Sequence, residues 1–148
     1  MFKMLSRSPI NRNLGLLVIR LGVGLTMLVF HGYGKLVGGP ETWAQVGASM
    51  GNFGLNFAPE FWGFMAMFAE FGCSILLILG VLFRPALFLL GFTMFVAVVV
   101  HLNLPVESGK AGWSGASHAL VHLFVYAGLF LTGPGKFAFS LMKKTDEF

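Results

Sequence analysis

Four long and nearly uninterrupted apolar runs constrain this chain more than any other feature of its sequence. They cover about residues 14–36, 61–83, 86–104 and 116–131. Each run is close to the ~20 residues that cross the hydrocarbon core of a bilayer as a helix, the fourth being the shortest. Backbone polar groups in hydrocarbon have to be satisfied within the segment, so all four runs are predicted to be helical. The sequence therefore predicts an all-α fold, an integral membrane four-helix bundle that forms one domain over residues 1–148.

Composition excludes most other classes of protein. Apolar residues make up 56% of the 148 residues and charged residues only 11%, against roughly 25% in an ordinary soluble domain. So short a chain cannot bury that much apolar surface from water, which excludes a soluble globule. The continuous runs also disfavour a transmembrane β-barrel, whose strands alternate. The net charge of +4 comes from a few basic residues at the ends of the runs, so the expected partner is the lipid bilayer and not nucleic acid.

The basic residues indicate how the bundle is oriented. With four helices, one side of the membrane receives Lys3, Arg7, Arg12, Arg84, Lys136, Lys143 and Lys144. The other side receives Lys35 and Lys110. Both termini are therefore predicted to be cytoplasmic, and the loops at about 37–60 and 105–114 are predicted to face outward. The apolar stretch after the basic N-terminus is too long for a signal peptide and is interrupted by Arg20, so it is interpreted as a retained first helix.

The first outer loop contains a predicted short helix of its own. It starts near Pro40 and runs to about Met50, with Trp43 and Val46 recurring at helical spacing. Together with nearby aromatic residues, this segment is expected to lie on the outer membrane interface. Two interpretations stay open, a lid that holds the bundle together and a gate over a pocket.

Two opposite charges lie inside the predicted spans, where a charged side chain costs roughly 2.5–3.5 kcal/mol on insertion scales. Arg20 lies a little below the middle of the first run, and Glu70 lies near the middle of the second. Their levels differ by about 7 Å at 1.5 Å per residue, within reach of a long arginine side chain. An Arg20–Glu70 ion pair is therefore predicted. It serves either to dock the first helix on the second or to form a substrate or proton site.

A second group of polar residues lies in the outer half of the predicted bundle or near its midplane. Its members are His31, Lys35, His101, His118, His122 and Tyr126. His118 and His122 share one helix face at positions i and i+4, and Tyr126 continues that face. Histidines from three helices are expected to converge on one outward-opening cavity, which makes this group the candidate ligand-binding site.

Three interpretations of this group stay open. A metal or haem site would use the i, i+4 histidine pair as a chelate, but no carboxylate or thiol lies at the same level. A quinone-type pocket would use histidine and tyrosine as hydrogen-bond donors to carbonyl oxygens, with glutamate or histidine relaying protons. In the third interpretation the histidines are structural and bond neutrally between helices. No residue is assigned as a metal ligand, and a quinone is favoured over metal or haem as the cofactor.

Short motifs in a consistent order resemble the DoxX family over nearly the whole chain. They are Arg20-Leu21-Gly22, His31-Gly32-Tyr33-Gly34-Lys35-Leu36, Ala69-Glu70-Phe71-Gly72, Phe83-Arg84-Pro85-Ala86 and Gly133-Pro134-Gly135-Lys136-Phe137. The resemblance implies a four-helix protein of the bacterial inner membrane. It also implies a link to quinone-coupled oxidation of sulfur compounds, because the family takes its name from a thiosulfate:quinone oxidoreductase subunit.

The sequence thus supports the hypothesis of a membrane subunit or accessory of a quinone-linked redox system; whether the chain itself is an oxidoreductase subunit stays open. Glu70 would relay protons, and Arg20 would hold its charge state and orientation. The four histidines would bind the ligand headgroup or pass protons outward. Besides the bilayer, the expected partner is a redox protein or a second copy of the chain. The alternatives are a non-catalytic membrane scaffold or assembly factor, and a small transporter of a weak acid or metal.

Overall fold

The computed structural model of the protein describes residues 8–139. Four helices in this part of the chain are long and apolar enough to cross a membrane: α1 (Arg12–Phe53), α2 (Pro59–Leu79), α3 (Phe83–Asn103) and α4 (Gly112–Thr132). No β-strand occurs between residues 8 and 139. The predicted all-α membrane bundle is therefore confirmed, because helices satisfy their own backbone hydrogen bonds as hydrocarbon requires.

The first helix, α1, changes its geometry along its length. Its first turn is capped by Asn11, whose side-chain oxygen accepts a hydrogen bond from the N–H of Leu14 at 3.0 Å. A regular α-helix over Arg12–Met27 is followed by a π-helical turn over Leu28–Gly32. Such a turn accommodates one extra residue and rotates the side chains that follow it, and it is frequent at functional sites.

The short helix predicted in the first outer loop is present in the structure. The α1 backbone breaks at Gly39, whose φ of +62° suits glycine, and Pro40 then starts a new helical stretch. This stretch continues to Gly47 and ends in a 3-10 segment over Ala48–Phe53. It packs closely along the beginning of α2, since a Cβ added at Gly63 would collide with the carbonyl group at Trp43. Its position at the membrane interface stays a prediction.

The helix boundaries differ from the predicted ones at the turn between α2 and α3. α2 ends at Leu79 and not at Phe83, because Gly80 adopts the left-handed conformation, with a φ of +77°, and closes the helix. α3 begins at Phe83 and not after Pro85, because a proline in the first turn of a helix removes no hydrogen bond. Residues 81–82 are apolar but belong to the turn, so hydropathy alone extends the predicted span too far.

The helices pack as antiparallel neighbours, α1 against α2 and α3 against α4. The π-helical turn of α1 faces a second π-helical turn in α2, over Phe68–Cys73. Gly32 allows this close crossing, because a Cβ there would lie 2.7 Å from the carbonyl atoms of Glu70. α3 contacts α2 through the same π-helical turn and the residues after it. The two irregular turns therefore meet in the middle of the bundle.

Three of the basic residues used to predict orientation lie at one end of the bundle. Arg12 donates a hydrogen bond to the carbonyl of Thr132 at 3.2 Å, and the N–H of Lys136 donates to Asn13 at 3.0 Å. Arg84, in the first turn of α3, lies over the ring of Phe130 near the end of α4. Lys3, Arg7, Lys143 and Lys144 lie outside the described residues. The side of the membrane that this end faces stays a prediction.

Candidate functional site

Arg20 is fully buried and binds four backbone carbonyls. Its Nε donates to the carbonyl of Leu77 at 3.1 Å, and its Nη2 donates to that of Ile78 at 2.6 Å. Nη1 donates to Pro134 at 2.7 Å, and both Nη atoms lie 3.3 Å from the carbonyl of Phe137. The first two carbonyls belong to the last turn of α2, where intrahelical donors run out: Leu77 also accepts a hydrogen bond from the N–H of Gly80 at 3.2 Å, whereas Ile78 has no other donor among the described residues. Arg20 therefore caps α2 and ties the segment after α4 to it.

The predicted Arg20–Glu70 ion pair is wrong, because the two side chains lie at different levels of the bundle. Gly24 of α1 packs against Ser74 and Ile78 of α2, and Gly32 packs against Glu70. Gly32 follows Arg20 by 12 residues, which is about 18 Å of helix. The prediction placed the middles of the two apolar runs at the same level of the membrane. This gave the wrong axial register of α1 on α2, because α1 extends past the end of α2.

Glu70 instead forms an ion pair with Lys35 of α1. The Glu70 side chain is almost fully buried, and the Lys35 side chain is mostly buried. The carbonyl of Lys35 accepts a hydrogen bond from the indole N–H of Trp43 at 2.8 Å, which ties the short helix to this part of α1. Sequence reasoning selected both charged residues but did not pair them. The corrected register of α1 on α2 was the missing information.

Three of the four histidines come together with Tyr126. The Nε2 atoms of His31 and His118 are 3.0 Å apart, within hydrogen-bond distance. The rings of His118 and His122 are 4.4 Å apart between centroids, and those of His122 and Tyr126 are 5.8 Å apart. We call His31, His118, His122 and Tyr126 the histidine ladder. It extends along one face of α4 and reaches across to α1.

The histidine ladder leads from the surface of the bundle to its interior. His118 is exposed and His31 is half-buried, whereas His122 is 8% and Tyr126 only 1% exposed. The Nδ1–H of His122 donates to the carbonyl of His118 at 3.0 Å, which leaves Nε2 as the open nitrogen of that ring. This Nε2, the hydroxyl of Tyr126 and that of Ser74 are buried and have no hydrogen-bond partner within the described part of the chain.

His101 lies apart from the other histidines, so the prediction that all four converge is wrong for this residue. Its Nδ1–H donates to the carbonyl of Lys110 in the loop before α4, at 2.8 Å. His101 lines the same cavity as Lys35 and Glu70, which the ladder residues do not.

A cavity of about 650 Å³ lies between α2 and α3. Its walls are mostly apolar, and its polar lining residues are Lys35, Gln45, Ser49, Glu70, Thr93 and His101. Residues 45–50 of the short helix cover one end of it. Phe61, Phe88 and Phe92 line it and are 48–66% exposed, so the cavity opens sideways between the two helices. Its volume falls within the range of about 300–1,000 Å³ that is usual for sites of small organic ligands.

The arrangement suits an apolar ligand better than a metal ion. Among residues 8–139, no group of three or more His, Cys, Asp or Glu side chains is placed to hold a metal. The cavity instead combines apolar walls with a cation, a carboxylate and a histidine, the pattern typical of small-molecule sites. Glu70 and its partner Lys35 both line this cavity.

The comparisons with known proteins give one positive finding. A family model described as DoxX matches residues 15–102, more than half of the chain. The matched segment contains Arg20, His31, Lys35, Glu70 and His101, whereas the α4 residues of the ladder follow it. No significant match was found among curated proteins or among solved structures.

Proposed function

The chain belongs to the DoxX family, and from this membership and the geometry of the site we propose that it is a membrane subunit or accessory of a quinone-linked redox system. One observation carries the proposal. Lys35 and Glu70 form a buried ion pair on the wall of an apolar cavity of about 650 Å³. An ion pair that only held two helices together would gain nothing from facing such a cavity.

The lining residues fit a quinone in both shape and chemistry. A bound quinone supplies two-electron, two-proton redox chemistry, and its electrons are exchanged with a partner redox protein. The apolar walls receive the ring, and the Lys35 ammonium group donates a hydrogen bond to a carbonyl oxygen. The Glu70 carboxylate holds or accepts a proton beside it. His101 adds a second polar contact at the covered end of the cavity.

Access to the cavity fits a ligand dissolved in the bilayer. The exposed rings of Phe61, Phe88 and Phe92 line an opening between α2 and α3 that faces the lipid. A quinone with an apolar tail enters this way without crossing water. In the proposed location, the bacterial inner membrane, both termini are cytoplasmic, and the short helix and the exposed end of the ladder face outward. Arg20 then stabilises the cytoplasmic end of the bundle and takes no part in binding.

The experiment is a binding titration with a short-tailed quinone analogue in detergent micelles, followed by quenching of tryptophan fluorescence, since Trp62 lines the cavity. The wild-type protein should bind saturably. Glu70→Gln should weaken binding about tenfold or more, because a charge-assisted hydrogen-bond network is worth about 1.5–3 kcal/mol. Ala66→Phe, which fills the cavity, should abolish it.

The matched control is Glu107→Gln, which neutralises a carboxylate in the loop before α4, away from the cavity. It should bind like the wild type. Quenching that never saturates, or that is the same in all four proteins, would show partition into detergent and refute the proposal. The scaffold interpretation would then take its place.

A further inference from the structure

We propose that an apolar groove between α3 and α4 holds the tail of the ligand whose headgroup binds in the cavity, so that the protein takes a quinone with a long apolar tail. The inference rests on the proposed function, because it places the headgroup in the cavity between α2 and α3. It adds a second part of the binding site, on the other side of α3, and with it the class of quinone that the protein selects.

The groove is almost entirely apolar. Its volume is about 510 Å³, its α3 wall extends from Leu87 to Phe95, and its α4 wall extends from Leu123 to Leu131. All of its lining residues except Tyr126 are apolar, and the Tyr126 side chain is only 1% exposed. No charged residue of the described part of the chain lines it. The groove therefore suits a hydrocarbon chain and not a polar headgroup.

Two phenylalanine rings connect the groove with the cavity. Phe88 and Phe92 line both spaces. They are one turn apart on α3 and both are exposed, so they form a ridge along the outer side of this helix. The cavity opens sideways at the same two rings, and a chain that leaves the cavity there passes over the ridge into the groove. This continuity favours the tail of the bound ligand as the occupant of the groove over an unrelated lipid chain.

Gly91 gives the groove its depth. It lies on α3 between the rings of Phe88, Phe92 and Phe95, which line the groove around it. A Cβ added at Gly91 would meet only Leu123, at 3.8 Å, which is an ordinary van der Waals contact. A glycine here is therefore not required by a close approach of the two helices. Its missing side chain instead leaves space at the bottom of the groove.

The length of the groove indicates how much of a tail it holds. Leu87 and Phe95 are eight residues apart, which is about 12 Å of helix. An isoprene unit adds four bonds to a chain, and an extended polypeptide covers about 3.3–3.6 Å for every three bonds, so one unit spans about 4–5 Å. The groove therefore accommodates about two to three isoprene units, and the rest of a longer tail continues into the lipid.

The levels of the two spaces along α3 fit a ligand with a polar head and an apolar tail. His101, in the last turn of α3, lines the cavity but not the groove. It follows Phe95, the last α3 residue that lines the groove, by six residues, or about 9 Å of helix. The headgroup thus reaches toward the end of the helix, and the tail lies closer to its middle, where the hydrocarbon of the bilayer surrounds it.

The experiment repeats the tryptophan-fluorescence titration with quinone analogues that carry no tail or one to four isoprene units. In the wild type, three units should raise the affinity about tenfold or more over no tail, because a packed chain makes tens of weak dispersion contacts. Gly91→Leu and Ala127→Phe fill the groove from its two walls, and each should remove about fivefold or more of this increase. Both variants should bind the tailless analogue like the wild type. The fourth unit should change the affinity by the same factor in every protein.

The matched control is Gly128→Leu. Gly128 is the neighbour of Ala127 on α4 but lines neither the groove nor the cavity, and a Cβ there has no atom within 4 Å. This variant should bind the whole series like the wild type. Longer tails also partition more strongly into detergent, but that effect is the same for all four proteins at one detergent concentration. The difference between the variants therefore measures the groove alone.

The outcomes separate this inference from the proposed function. Saturable binding of the tailless analogue, with the same gain from tail length in all four proteins, would overturn the groove as the tail site and leave the headgroup site in place. The groove would then be covered by ordinary membrane lipid. Saturable binding of no analogue, with or without a tail, would refute the proposed function and this inference together.

Discussion

Replacement of Arg20 by methionine should be among the most destabilising substitutions in the protein. The side chain is fully buried and is the hydrogen-bond donor for the carbonyls of Leu77 and Ile78 at the end of α2. Leu77 keeps a hydrogen bond from Gly80, but the carbonyls of Ile78 and Pro134 have no other donor among the described residues. A carbonyl left without a partner costs about 1–3 kcal/mol, so these two together cost about 2–6 kcal/mol. Removing a buried charge offsets part of this cost. We expect a net loss of about 3 kcal/mol, or about a hundredfold in the unfolding equilibrium constant.

The assay is reversible unfolding in mixed detergent micelles, followed by circular dichroism. Arg20→Lys should fall between wild type and Arg20→Met, because one ammonium group cannot replace the fork of five donors. Arg12→Met is the matched control, since Arg12 is exposed and makes a single hydrogen bond to the described residues, at 3.2 Å. It should change stability by no more than about 0.5 kcal/mol. A loss below that value in Arg20→Met would refute the capping argument.

The same assay tests the pairing of the intramembrane charges. Lys35→Met and Glu70→Gln should each destabilise the protein, and the double variant should lose less than the sum, because either single change strands a buried charge. Arg20→Met and Glu70→Gln should be additive within about 0.5 kcal/mol, since Arg20 binds carbonyls at another level. Coupling between Arg20 and Glu70 would contradict the register of α1 on α2.

Three further outcomes are expected. Gly32→Ala should destabilise the bundle strongly, because the new Cβ would lie 2.7 Å from the Glu70 carbonyl. Gly34→Ala is the control and should not destabilise it, because a Cβ there has no atom within 4 Å; the two variants are compared by thermal unfolding. Tyr126→Phe should leave the melting temperature unchanged or raise it, because the lost hydroxyl is buried and unpartnered among residues 8–139; a marked decrease would show that it has a partner. A reporter fused after Phe148 should be active only in the cytoplasm, and activity on the opposite side would reverse the proposed orientation.

The sequence predicted most residues of the candidate site but not which of them contact each other. Hydropathy marks Arg20, Lys35 and Glu70 as costly residues inside spans, and each is buried or mostly buried in a polar contact. The i, i+4 spacing of His118 and His122 correctly indicates a shared face, because that relation is local to one helix. The partners of the charged residues were not predictable in this way, since they lie on other helices.

The sequence by itself determined that the chain forms four apolar helices, because membrane-spanning length and backbone hydrogen bonding are properties of single segments. Only the tertiary structure decided the axial register of α1 on α2. Gly32 meets Glu70 there through facing π-helical turns, so Glu70 pairs with Lys35 and Arg20 is left to cap the end of α2. The axial register of two helices depends on backbone contacts at small residues and on where a helix ends, for example at Gly80. The apolar pattern of a sequence does not report this register, because a helix that is shifted along its neighbour remains equally apolar.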